Sequence, residues 1–174
     1  MKMLAQFAGS AEGTGLSRYA QFKDLDEQLR FLRKQITKYR MVPVIRDTAI
    51  GILGAANIAA RDKRSQALSI GDWAQENIYY VHELPERFQT PESTLRTKAG
   101  DCDDFSTLIG ALAESIGIPV MLVAMHFRGA YRHIFPAAKI DGKLLPLDAT
   151  NRFGGVRGEN PVHSSGKVVK LKIA

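Results

Sequence analysis

An α+β fold is predicted for this 174-residue chain by three observations. Helical periodicity occupies the chain up to about residue 116, β-type alternation begins only after Pro119, and the two kinds of segment are segregated rather than interleaved. With 45% hydrophobic residues, the chain is long enough for one well-cored domain and too short to expect two.

Residues 1–20 are small, polar and glycine-rich, with Gly9, Gly13 and Gly15, and are expected to form a flexible or partner-ordered N-terminal arm. Residues 24–39 place Leu25, Leu29, Leu32, Ile36 and Tyr39 on one helical stripe, with Arg30, Arg33, Lys34 and Lys38 opposite or flanking as a solvated face. A second helix is expected over about 44–60, where Gly51, Gly54 and Ala55 admit a neighbouring helix closely. A third, over about 64–80, carries Leu68, Trp73, Ile78 and Tyr79 or Tyr80 toward the core. After Cys102, the residues Phe105, Leu108, Ile109, Leu112 and Ile116 recur on one helix face, and Gly117 and Pro119 supply the stop.

An antiparallel sheet is expected from about 119 onward. Residues 131–140 and 143–149 read as two strands around Asp141-Gly142, a dipeptide suited to the type I′ hairpin turn. In that register Ile140 faces Lys143, and His133, Phe135, Asp148 and Thr150 share one face. His133 is then the diagonal neighbour of Asp148, roughly 7–8 Å away at the backbone and within reach of a ring-to-carboxylate hydrogen bond. Pro136 and Pro146 each remove a ladder donor, and a one-residue slip would separate the two side chains. The tail from Lys167 to Ile173 alternates like an edge strand able to pair with a partner's sheet. These features divide the chain into the arm, a domain over 21–150 and a basic C-terminal extension over 151–174.

Cys102 is the one cysteine, at the start of a helix, where unpaired N–H groups and the macrodipole favour a thiolate. Asp101, Asp103 and Asp104 oppose this by like-charge repulsion, so a nucleophile at neutral pH requires a nearby imidazolium. His133 follows 31 residues later and Asp148 another 15 after that, completing a set of nucleophile, base and orienting acid. The same three side chains could also ligate zinc with water in the fourth position, but no paired motif such as Cys-x-x-Cys accompanies them. No metal and no cofactor is expected.

The run Thr94-Leu95-Arg96-Thr97-Lys98-Ala99-Gly100-Asp101-Cys102-Asp103-Asp104-Phe105, then Gly117-Ile118-Pro119, the His133 strand and Leu147-Asp148-Ala149-Thr150, resembles the transglutaminase-like superfamily of papain-like cysteine enzymes. The segment from Trp73 to Tyr80 is similar to the helix before the nucleophile in that family, and the resemblance covers about residues 43–150. It implies a papain-like α+β core with Cys102 as nucleophile, His133 as general base and Asp148 as its orienter. The implied activity is cleavage or transfer of peptide-type amides through an acyl-enzyme. Oxyanion stabilisation is expected from the Cys102 N–H and one upstream side chain, with Gln89, Trp73 and Tyr80 as candidates. Small members similar to this one occur among bacterial and bacteriophage proteins, which implies a virion-associated peptidase or amidase. The alternative is a structural or adaptor protein of a phage tail or capsid that uses the fold as a scaffold.

Charge is unevenly placed. Residues 1–64 hold 12 basic and 6 acidic side chains, residues 65–150 hold 7 and 11, and residues 151–174 hold 5 and 1. The expected partners are a peptide or protein amide substrate and other virion proteins, met through the arm and the basic tail; nucleic acid is not expected. With no secretory signal and no apolar run longer than about a dozen residues, the expectation is a protein that is cytoplasmic when made.

Overall fold

Asp24 starts the first helix of the computed structural model, its carboxylate accepting the Glu27 N–H at 2.8 Å. Helix α1 (Leu25–Tyr39) then buries Leu29, Leu32, Ile36 and Tyr39 along the expected stripe. The structure describes residues 22–81, 88–127, 130–150 and 170–173; the N-terminal arm and most of the C-terminal extension lie outside them. Pro43 opens α2 (Pro43–Ala55), and Asp62 caps α3 (Lys63–Asn77) by accepting the Ser65 N–H. Both helices end earlier than their apolar patterns suggest. Asn57 adopts a left-handed φ of 52°, and Ile78 turns extended into β1 (Tyr79–Tyr80). On the way Ile78 is buried, Leu68, Trp73 and Tyr80 pack partly buried on the core, and Tyr79 faces outward.

Two short features carry no apolar period long enough to read. Helix α4 (Pro91–Thr97) is capped by Thr90 and stopped by Lys98 at a left-handed φ of 57°. Strand β2 (Ala99–Gly100) pairs in parallel with β1, setting Tyr80 opposite Gly100.

Helix α5 (Cys102–Ser115) is expected to bury one face, but every residue from Asp103 to Ala113 is buried. The reason is its position at the centre, against α1, α2, α3, α4 and the sheet. Gly110 lets α1 come close, since a Cβ there would sit 2.6 Å from Ile36 Cδ1. Arg33 and Arg40 do not simply face solvent either: both turn to Glu114 on α5 and form ion pairs with its carboxylate. Arg33 also donates to Val120 O at 3.2 Å, and Glu114 Oε1 accepts the Val120 N–H at 3.4 Å. One carboxylate thus joins α1, α5 and the first residue of the sheet.

The sheet comprises β3 (Val120–Phe127), β4 (Ala130–Ile140), β5 (Lys143–Pro146) and β6 (Lys170–Ile173) in the order β5-β4-β3-β6, antiparallel throughout. Ile140 pairs with Lys143, and Asp141 and Gly142 both take positive φ, 49° and 77°, as the type I′ turn requires. The tail strand differs from its expected use: β6 pairs with β3 of this same chain, with Val123 opposite Ile173. Leu122, Ala124 and Ile134 pack on the α1 stripe, while Val123, Met125, Phe135 and Ala137 form a separate buried cluster. Strand alternation separates these two sets onto opposite faces. Among the described residues no helix is long and apolar enough to cross a membrane.

Candidate active site

Asp101 sets the start of α5. Its carboxylate accepts the Asp103 and Asp104 N–H groups, at 3.0 and 3.4 Å, while Asp104 Oδ2 accepts the Asp101 N–H at 3.3 Å, closing a capping box. Cys102 is the first helical residue, half-buried, with its sulfur 3.8 Å from Asp103 Oδ1. The other Asp103 oxygen accepts from Gln28 Nε2 at 2.8 Å, which ties this turn to α1. Glycine is needed at position 100, because a Cβ there would lie 2.6 Å from Asp104 Cβ.

On the sheet, His133 Nε2 lies 2.6 Å from Asp148 Oδ2, the pair that the hairpin register predicts. The route to it differs from a continued ladder. Pairing stops at Ala137 and Pro146, since proline cannot donate, and the chain leaves through one further bond from Leu147 N–H to Pro136 O at 2.8 Å. Asp148 is held instead by Thr150, whose N–H and hydroxyl both donate to Asp148 Oδ1, at 3.1 and 2.8 Å. Sequence reasoning placed Thr150 on this face without a role; the signal was an Asp followed two residues later by Thr, the spacing of an Asx turn. His133 is buried and stacks on Phe135, with ring centroids 5.8 Å apart.

Ser106 joins the helix to this pair. Its hydroxyl lies 2.6 Å from Cys102 O and 3.1 Å from Ile134 O. Carbonyls two residues apart in a strand point the same way, so Ile134 O and Pro136 O both face the side of β4 that β5 has left open. The first turn of α5 therefore meets β4 at its open edge, one residue from His133 and beside the segment that carries Asp148. Among the described residues no group of three or more His, Cys, Asp or Glu side chains is arranged to hold a metal ion.

The three oxyanion candidates occupy different surroundings. Both amide protons of Gln89 are engaged, with Nε2 donating to Ala99 O at 2.8 Å and Asp104 Oδ2 at 3.2 Å, while its Oε1 accepts from Ser93 and Thr97. Trp73 stacks under Lys98 Nζ, 4.8 Å from the ring centroid. Tyr80 packs on Phe105, and its backbone pairs with Gly100, two residues before Cys102.

Two carboxyl groups here are shifted in opposite directions. Burial pushes Asp148 up, but the hydrogen bond and charge of His133 and the Thr150 donors outweigh it and hold the carboxyl below its ordinary value. For Asp104, burial and the neighbouring Asp101 charge prevail over the N–H groups of Gln89 and Asp101 and push it up to about 7. The folded-state value of Asp104 exceeds the unfolded one, so its contribution to stability is complete below pH 3.8 and is lost as pH rises to about 7. Urea titrations are expected to show wild-type stability falling between pH 4.5 and 7.5, by at most about 4 kcal/mol from this group, with a flatter profile in Asp104→Asn. Asp148, with a depressed value, loses its contribution only as pH falls below 3.8 and stays outside that window.

A family model described as a transglutaminase-like domain matches residues 53–153. A UPF0252 protein of Methanocaldococcus jannaschii is 26% identical over an alignment of 134 residues that covers 68% of this chain and 36% of that protein. Among solved structures, a candidate protease from Parabacteroides distasonis aligns with a TM-score of 0.56 at 18% identity, over 71% of this chain and 26% of its own. A candidate cysteine protease from Cytophaga hutchinsonii aligns with the same TM-score of 0.56 at 21% identity, over 83% of this chain and 51% of its own. At these identities the two structures establish a shared fold, and the chain spans about a third of the curated relative it matches.

Proposed function

Because this chain belongs to the transglutaminase-like domain family, we propose that it is a thiol enzyme that cleaves or transfers peptide-type amides through an acyl-enzyme on Cys102. The observation that carries this reading is the 2.6 Å contact between His133 Nε2 and Asp148 Oδ2. It orients the ring and leaves Nδ1 as the nitrogen that exchanges a proton with Sγ.

In the first half-reaction Nδ1 takes the thiol proton and the sulfur attacks the amide carbonyl carbon. The C–N bond then breaks as the imidazolium returns its proton to the leaving amine, and a thioester remains. In the second, water or an incoming amine attacks the thioester carbonyl, losing a proton to Nδ1. The sulfur leaves as thiolate, giving a carboxylic acid or a new amide. The carbonyl oxygen gathers charge in both steps, and the Cys102 backbone N–H at the helix start is one donor suited to it. Tyr80 is the favoured side-chain donor, because β1 pairs beside Gly100 whereas the Gln89 amide is engaged with Asp104.

The acidic centre between basic flanks supports a place in a larger assembly such as a phage virion, in which the flanks make the contacts. If the domain were only a scaffold there, the thiol would be idle. Mass spectrometry after incubation with peptide thioesters and peptide amides separates the two readings. An acyl mass on Cys102, absent in Cys102→Ala, is the expected result. No adduct with any probe, together with an iodoacetamide alkylation midpoint of about 8.5 or above in the wild type, would overturn the enzyme reading.

A further inference from the structure

At the other end of α5, between α2 and the start of α3, lies a groove of about 610 Å³, within the range of natural ligand sites. We propose that it is a second binding site, for a short acidic peptide segment that carries an aliphatic side chain. Ile50, Leu53, Ile58 and Ile116 supply its apolar wall and Arg46 and Lys63 its positive charge, and among the described residues no aspartate or glutamate lines it. A 14-residue helix is about 20 Å long, so the groove is remote from Cys102.

Several observations select the occupant. Ile50 is 51% exposed, one of the few large apolar side chains left in solvent among the described residues. Gly54 has nothing within 4 Å of a Cβ built there, so the helix that was expected to approach α2 along its small residues is absent among the described residues. Arg46 makes no ion pair among the described residues, and Lys63 commits one of its protons to Ile116 O at 3.1 Å. Gln66, buried and lining the groove, donates from Nε2 to Ala59 O and Ala60 O, at 3.0 and 2.9 Å. Its Oε1 is buried without a hydrogen-bond partner among the described residues. A buried acceptor calls for a donor, which a peptide N–H supplies. A carboxylate matches the Arg46 guanidinium, and an aliphatic side chain covers Ile50. Phosphates would satisfy the cations alone and leave the apolar wall wet.

Fluorescence anisotropy on the full chain tests this with a fluorescein-labelled hexapeptide of alternating aspartate and leucine, its asparagine-for-aspartate counterpart, and a labelled oligothymidine. Saturable binding of the acidic peptide is expected, at least tenfold weaker for the asparagine form and at least tenfold weaker in Arg46→Glu. Gly54→Leu fills the groove from open space while favouring the helix, so it should weaken binding with the melting temperature kept. Arg46→Glu should leave the iodoacetamide alkylation midpoint of Cys102 as in wild type, which separates this site from the proposed catalysis. Absence of acidic-peptide binding, equal affinity in Arg46→Glu and Gly54→Leu, or tighter binding of the oligothymidine would overturn the proposal.

Discussion

His133→Ala is expected to lower acyl transfer by about 10⁴-fold and to move the alkylation midpoint of Cys102 upward, to about 8.5 or higher. Two effects combine. The imidazole that accepts the thiol proton is lost, and with it the positive charge that offsets three aspartates around the thiol, Asp101, Asp103 and Asp104. Asp148 then keeps Thr150 as its donor and loses the ring that held its carboxyl low. The ring is buried, so folding must be followed alongside activity by circular dichroism. Exogenous imidazole, small enough to enter the vacated volume, should restore part of the rate in a folded variant. A midpoint identical in wild type and His133→Ala would separate the histidine from the thiol and remove the basis of the proposed mechanism.

At constant pH, the substitution expected to cost the most stability is at Glu114. Its side chain is 4% exposed, while those of Arg33 and Arg40 are 37% and 41% exposed, so the carboxylate rather than the guanidinium groups depends on the pairing. Glu114→Ala removes the acceptor for both cations and for the Val120 N–H together. A loss of about 3 kcal/mol is expected, near the low end for breaking a buried pair because the arginines can rehydrate. For a chain of this size that is a fall in melting temperature of about 10 °C. Glu114→Gln should recover part of it, since an amide oxygen can still accept from Val120 N–H. Arg40→Ala alone should cost no more than about 1 kcal/mol, because Arg33 continues to neutralise the carboxylate. A melting temperature in Glu114→Ala within 2 °C of wild type would show that this junction is not a source of stability.

Features that one element specifies for itself were legible. Leu29, Leu32, Ile36 and Tyr39 lie at helical spacing and are buried, and Asp141-Gly142 forms the turn whose positive φ angles those two residue types tolerate. Counting across the two-residue turn also placed His133 and Asp148 on one face, and the pair forms, although the ladder ends at Pro146 and Thr150 holds Asp148 beyond it. Short features were not legible. Helix α4 has seven residues and β1 and β2 two each, too few to show any period. Gln89 was a reasonable oxyanion candidate by type, and its commitment to Asp104 depends on a loop and a helix start meeting in space.

The chemistry available to this protein was determined in the sequence alone: one thiol at a helix start, a histidine and an aspartate facing each other across one hairpin, and basic charge concentrated on the flanks. Each of these follows from local spacing and residue type. Tertiary structure alone decided that Ser106 anchors the thiol turn to the open edge of β4, that Glu114 gathers Arg33 of α1 and Arg40 just after it, and that α5 is buried all round. Those contacts join residues 28 to 81 positions apart, and at such separations the pairing depends on how helices pack against the sheet, which leaves no periodic trace in the chain.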